Sequence, residues 1–152
     1  MIEIEVMNEK SVADVSRLEK KCFHDAWDEA TLTKTLSNNS IVYLTARLDC
    51  KIVGYIGYYD LIDEYSIINI AVDENCRRKG IADALLCALR DRAVTASVNI
   101  ITLEVRASNI PAISLYEKNG YTKTSEKENY YTKPRESAYF YRQEIKNADT
   151  EL

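Results

Sequence analysis

A mixed sheet with helices inserted between its strands, an α/β or α+β fold, is predicted by three features of the chain. Two apolar-alternating stretches, 41–48 and 52–59, are separated only by a tight turn at 49–51, the pattern of a β-hairpin. A unit at 65–96 then reads as strand, polar loop and strong helix. A second unit of the same kind follows at 101–120, ITLEVRASNIPAISLYEKNG.

The elements follow in order. Ile2, Ile4 and Val6 alternate with Glu3 and Glu5, giving a first strand. Ser11 is placed to cap a helix ending near Lys21, with Val12, Val15, Leu18 and Cys22 as its stripe. After CFHDAWD, Asp28 is placed to cap a second helix carrying Leu32 and Leu36. Residues 37–40 are a polar break. The hairpin follows, with Val42, Leu44, Ala46 and Leu48 on one face, and Gly54 and Gly57 marking close packing or a bulge. Residues 60–64 form an acidic turn, and 65–72 an apolar strand central to the sheet. A basic loop, 73–79, leads through Gly80 into a helix with Ala82, Leu85, Leu86, Leu89 and Ala93 at helical spacing. The strand from Ile101 is apolar at Leu103 and Val105, and its other side carries Thr102, Glu104 and Arg106. Pro111 suits a first helical turn, and Gly120 suits a left-handed C-terminal cap. Residues 121–127 read as a strand, 129–134 as a tyrosine-bearing loop and 137–145 as the last strand. The reading is one domain, 1–145, and a polar, frayed tail, 146–152.

A chain of 152 residues suits one sizeable core. Its net charge of −4 argues against a general nucleic-acid binder and leaves room for a cationic substrate. No apolar run approaches a membrane span, and no secretory leader is read at the start. Cys22, Cys50, Cys76 and Cys87 are scattered without a CxxC pair, so neither a disulfide framework nor a zinc site is expected. The reading is a reduced, cytoplasmic protein with no metal. His24, the only histidine, is given no role.

Two stretches carry chemistry. VDENCRRKGIA, 72–82, runs from a strand through Arg77, Arg78 and Lys79 to Gly80 and a helix start. Unpaired N–H groups and the helix dipole attract anions there, and glycine lets backbone approach a ligand. A solvated basic turn is the alternative, and neither a Walker loop nor a dinucleotide fingerprint is present. In the second stretch, Glu104 sits in a strand apolar enough that its carboxylate should be partly buried. Tyr116 lies mid-helix, one short loop away, so the two can face one cleft.

RRKGIA at 77–82 matches the Q/R-x-x-G-x-G/A motif of the GNAT superfamily of acetyl-CoA-dependent N-acetyltransferases. LEVRASN at 103–109, LYEKNGY at 115–121, Asn129-Tyr130-Tyr131 and Trp27 resemble its bacterial ribosomal-protein-alanine branch (RimI-like). The resemblance spans nearly the whole chain. The chain departs at Ala26, where many relatives have proline, at Ala82 in place of the last motif glycine, and over 132–137.

The resemblance implies a mostly antiparallel sheet of six or seven strands with about four helices, the fourth and fifth strands splayed around acetyl-CoA. It implies that Ile70, Ala71 and Val72 pair with the pantetheine arm through their main chain. Arg78, Lys79, Gly80, Ile81, Ala82 and Asp83 would cradle the pyrophosphate, Arg77 would bind the cosubstrate beside them, and Asn109 would touch it near its helix start. Direct transfer to an amine needs a base, assigned to Glu104, and an acid for the leaving thiolate, assigned to Tyr116. Backbone N–H near Val72 would hold the oxyanion. The implied substrate is a protein N-terminus, the alanine of a small-subunit ribosomal protein, with no nucleic acid or membrane partner. A small amine, a protein lysine, or a non-catalytic acetyl-CoA-binding module are the alternatives. Glu104 can also be read as a structural carboxylate paired with Arg106, Tyr116 as helix packing, Trp27 as a core anchor, and Tyr130 and Tyr131 as groove or surface. Asp60, Asp63, Glu64, Glu126 and Glu128 could attract a cationic segment, although each alone reads as a solvated charge.

Overall fold

The computed structural model describes residues 1–23 and 25–146; His24 and the polar tail from 147 lie outside the described residues. The elements are β1 (Ile2–Val6), α1 (Val12–Cys22), α2 (Glu29–Thr35), β2 (Ile41–Leu48), β3 (Lys51–Asp60), β4 (Glu64–Val72), α3 (Ile81–Thr95), β5 (Ile100–Arg106), α4 (Ile110–Lys118), β6 (Thr122–Thr132) and β7 (Arg135–Glu144), with a 3-10 turn at Glu74–Cys76. The seven strands make one sheet in the order β1-β2-β3-β4-β5-β7-β6. Only β4 and β5 are parallel; every other neighbouring pair is antiparallel.

The β2–β3 turn forms as expected. Asp49 (φ 52°) and Cys50 (φ 67°) are both left-handed, the geometry of a two-residue type I′ turn. The one-faced reading of β2 is corrected, because Tyr43 and Thr45 are buried as fully as Leu44 and Ala46. Helices cover both sides of this part of the sheet. On one side α3 packs Leu85, Leu86, Leu89 and Ala93 against Ile56, Tyr58, Ile67 and the Ile101–Leu103–Val105 face of β5. Ile81, not the expected Ala82, begins that stripe, and Ala82 is half-buried. On the other side Val12, Val15 and Leu18 of α1 and Leu32 of α2 pack on Tyr43, Tyr55 and Ala71. Leu36 falls just past α2 and is exposed.

Ser11 does not cap α1. Its hydroxyl accepts from the Asn8 N–H (2.9 Å) and donates to the Asn8 carbonyl (3.0 Å), closing the preceding turn instead. Asp28 does cap α2, accepting from the Thr31 N–H at 2.8 Å. Gly57 answers to close packing, since a Cβ there would meet the Tyr43 ring at 2.7 Å. The expected loop 129–134 is largely strand. Pairing slips between Lys127 and Tyr131, where Asn129 adopts φ 56°, and then resumes, so β6 runs on to Thr132 and β7 starts at Arg135.

The decisive feature is where pairing stops. β4 meets β5 over only Glu64–Ser66 against Ile100–Thr102, and the two strands then diverge. A register shift against β3 at Gly57/Tyr58 leaves Ile68 as the extra residue of β4, two residues past the last pair with β5.

Burial raises the phenol pKa values of Tyr43, Tyr55 and Tyr121, and pushes that of Tyr116 up to about 12. Above pH ~10 the unfolded chain loses these protons while the folded chain keeps them. Stability is therefore fully present below pH ~10 and falls as pH rises through and beyond it, by at most about 1.4 kcal/mol per pH unit for each such tyrosine. Urea unfolding at pH 8 and pH 11 should show a large drop in midpoint, reduced in a Tyr55→Phe variant; equal midpoints would contradict the burial of these hydroxyls.

Candidate active site at the divergence of two strands

Two openings flank the gap. The first, about 590 Å³, gathers Ile70, Ala71 and Val72 of β4, Arg77, Arg78, Gly80, Ile81, Ala82 and Asp83 at the start of α3, and Asn109 before α4. Cys22 and Phe23 from the end of α1, Cys76 of the 3-10 turn, and Pro111, Ala112 and Leu115 of α4 complete it, and none of these six was assigned to the site from the sequence. Lys79 is exposed and does not line it.

The local backbone explains the anion site. The first bond within α3 runs from the Ala84 N–H to the Gly80 carbonyl, so the N–H groups of Ile81, Ala82 and Asp83 have no intrahelical partner. Gly80 lies at φ 77°, and nothing stands within 4 Å of where its Cβ would be, leaving room for a ligand against the main chain. Arg78 also holds a left-handed φ of 66°, uncommon for a residue with a side chain. Past their three pairs, the main chains of β4 and β5 face each other unpaired, as a strand-like pantetheine arm requires. The donors present thus fit a coenzyme A pyrophosphate and arm.

Two expected contacts are modified. The Asp83 carboxylate takes hydrogen bonds from Asn119 Nδ2 (2.9 Å) and Lys118 Nζ (3.1 Å), and the Asn119 contact leads in holding its pKa below the ordinary value. Its side chain therefore ties α3 to α4, which leaves its main chain for an anion. Asn109 caps α4 through the Ala112 N–H at 3.3 Å, and stands at the pocket wall while doing so.

The second opening, about 660 Å³, lies on the other face. Tyr59 of β3, Glu64, Ser66 and Ile68 of β4, Thr102 and Glu104 of β5 and Phe140 of β7 line it. Glu104 is exposed here, against the expectation of partial burial. The reason is coverage: α1 and α2 shield β2–β4 on this face and stop short of β5. The Tyr130 hydroxyl donates to Glu104 Oε2 at 2.7 Å.

Arg106 does not pair with Glu104. It reaches the β6–β7 turn instead, donating to Glu136 (3.3 Å) and to the carbonyls of Pro134 (3.0 Å) and Lys133 (3.2 Å). Glu136 also accepts from the Ser108 N–H at 2.5 Å, the main reason its pKa is lowered. Segment 132–137, unassigned from the sequence, is thus strapped to the end of β5. The strap holds the Tyr131 ring 4.2 Å beneath the Arg106 guanidinium, and Tyr130 beside Glu104. Of the acidic residues weighed for a cationic segment, Glu64 lines this groove.

Tyr116 is on the opposite face. It is 6% exposed, packed in the α3 core with its ring 5.8 Å from that of Tyr121, and lines neither opening. Glu104 and Tyr116 therefore lie on opposite sides of the sheet rather than sharing one groove. Tyr131 lies close enough to Glu104 to register its charge. Burial and then the Glu104 charge raise its pKa to about 12, and Tyr131 adds to the rise at Tyr116.

A sheet split between parallel strands, with an anion-binding helix start on one face and a carboxylate-bearing groove on the other, defines an acyl-coenzyme A N-acyltransferase of the GNAT type. The profile of the acetyltransferase (GNAT) family matches residues 12–121, and the chain belongs to that family; it is an acetyl-CoA-dependent N-acetyltransferase. It is 32% identical over 130 residues to the [ribosomal protein bS18]-alanine N-acetyltransferase of Salmonella typhimurium, covering 84% of this chain and 86% of that one. With the enzyme so named from Escherichia coli K12 it is 36% identical over 116 residues, covering 75% and 76%. The crystal structure of the ribosomal-protein-S18-alanine N-acetyltransferase from Escherichia coli superposes with a TM-score of 0.88 at 29% identity, covering 100% of this chain and 99% of that one. Among the described residues no helix is long and apolar enough to cross a membrane, and no group of three or more His, Cys, Asp or Glu is arranged for a metal.

Tyr130 has its pKa raised chiefly by the hydrogen bond to Glu104, and Tyr131 in part by the same charge. In a Glu104→Gln variant both phenols should ionise at lower pH, read as phenolate absorbance between pH 9 and 12; an unchanged titration would separate Glu104 from both rings.

Proposed function

We propose that the chain transfers acetyl from acetyl-CoA directly to the N-terminal α-amine of a protein beginning with alanine, a small-subunit ribosomal protein of the bS18 kind. The observation that carries this reading is the pair of openings meeting at the β4–β5 divergence, one fitted to a pyrophosphate and the other carrying Glu104 in a groove open to an extended polypeptide. The relatives named for bS18 alanine acetylation support the choice of substrate.

Bound acetyl-CoA supplies a thioester carbonyl as electrophile. An α-amine has a pKa of about 8 and arrives largely protonated at neutral pH. Glu104 takes that proton, directly or through one water, and its exposure to the groove suits both routes. The start of α3, from Arg77 to Asp83, holds the pyrophosphate, with Lys79 acting from the rim. Ile70 and Val72, whose main chain turns away from β3, offer it to the arm with Ala71 between them, and N–H near Val72 faces the developing oxyanion. Asn109 closes the far wall. Tyr116, with its pKa near 12, keeps its proton at neutral pH. It is a weaker acid than a free thiol by roughly three units, so it serves best as a donor to sulfur while the thiolate's charge is growing.

Thiol release is the direct assay, with a peptide beginning Ala-Arg set beside the same peptide with its α-amine blocked and a lysine free. Release is expected only with the free α-amine, and release only with the lysine peptide would overturn the assignment. Glu104→Gln should lower turnover by about 10²–10⁴-fold while acetyl-CoA binding stays within about twofold. Full turnover in that variant would remove Glu104 as the base.

A further inference from the structure

A buried carboxylate has no part in the chemistry above. Glu19 of α1 is 1% exposed, behind the acceptor face of the sheet. Its Oε2 accepts the Trp27 N–H at 2.9 Å, and its Oε1 accepts from Asn69 Nδ2 at 3.0 Å. These donors lie on different elements: Trp27 in the loop between α1 and α2, and Asn69 on β4, next to the extra residue Ile68 and to Ile70 of the cosubstrate pocket. A buried carboxylate is costly to keep unless its partners need it, and this one joins two segments that bound the reaction centre. The surroundings are polar beyond what packing requires. The Tyr43 hydroxyl and the Asn69 Oδ1 have no hydrogen-bond partner among the described residues, and the buried Tyr55 hydroxyl lies close enough to Glu19 for that carboxylate to help raise its pKa.

We propose that Glu19 is a positioning residue for the acceptor. It fastens the Trp27 loop to the β4 bulge, and so sets the wall beside which the first residue of the acceptor polypeptide is held. The loop stands where such a wall must be. It begins at Phe23 on the rim of the cosubstrate pocket. It ends at Trp27, whose ring is 6.1 Å from that of Tyr43, and Tyr43 pairs with Gly57 on β3, two residues before Tyr59 of the acceptor groove. Cutting either hydrogen bond frees the loop from the strand while leaving the α3 anion site intact. The inference rests on the acceptor being a polypeptide, as proposed above.

The test separates positioning from charge. Glu19→Ala removes both acceptors. Glu19→Gln keeps one oxygen for the Trp27 N–H, and its amide can donate to Asn69 Oδ1 once the Asn69 side chain turns over. Steady-state kinetics with the Ala-Arg peptide should show a peptide KM raised roughly tenfold or more in Glu19→Ala, with acetyl-CoA affinity within about twofold of wild type and Glu19→Gln restored most of the way. The chain has one tryptophan, Trp27, so its emission reports this loop alone. Emission should shift in Glu19→Ala and return in Glu19→Gln. Asn69→Ala cuts the same link from a half-buried site and should raise the peptide KM in the same direction, which keeps the test decisive if Glu19→Ala fails to fold. An unchanged peptide KM in Asn69→Ala would overturn the proposal, as would a Glu19→Gln variant as impaired as Glu19→Ala, because the charge itself would then be needed. If wild type turns over no peptide at all, the substrate assignment above fails instead.

Discussion

The site depends on a failure of pairing. β4 and β5 are the one parallel pair, and they stay together for three residue pairs before separating. A sheet with a gap at its one parallel pair leaves main-chain donors and acceptors without partners, and buried groups of that kind are kept only where something else satisfies them. The extra residue Ile68 stands in β4 two residues past the last pair with β5. The core nonetheless continues past the gap on one face. The α3 stripe covers both strands there, touching Ile67 on β4 and Leu103 and Val105 on β5. The opening is therefore held apart by packing rather than left loose.

The two faces of the gap are built differently. The α3 face is apolar, closed over by α4, and carries helix N–H groups and arginines at its mouth. Asp83 bonded to Asn119 and Lys118 sets the spacing of the two helices. The opposite face is only half covered. Beyond α1 and α2 the β5–β7–β6 surface is open, and Glu104, Tyr130 and Phe140 stand on it. Tyr130 packs edge-on against Phe140 at 5.6 Å, so the hydroxyl that reaches Glu104 comes from an anchored ring. The Arg106–Glu136 strap holds that hairpin in place from below.

Much of this was legible in the residues. Period-2 alternation, the turn expected at 49–51, the Asp28 cap and the Pro111/Gly120 bracket of α4 are local signals, and each of these elements formed close to its expected bounds. The anion loop was legible because a basic run ending in glycine before a helix carries its own mechanism. What local pattern could not supply was coverage. Alternation tells that β5 has two faces, not that one lies open, so Glu104 was expected more buried than it is. The same blindness hid the second buried face of β2. Partners far apart in sequence were also missed, including Arg106 with Glu136, Asp83 with Asn119 and Glu19 with Asn69. Glu19 left one trace, a charged residue four positions after Val15 on the apolar side of α1.

The central claim is that the two substrates enter the β4–β5 gap from opposite faces of the sheet. A crystal structure with coenzyme A joined through an acetyl bridge to the α-amine of an Ala-Arg peptide tests it most directly. The account predicts the pyrophosphate on the N–H groups of Ile81 to Asp83, the bridge in the gap, and the peptide in the groove with Glu104 within one water of its nitrogen. Both halves of the conjugate on the α3 face, or a peptide lying away from Glu104, would contradict it.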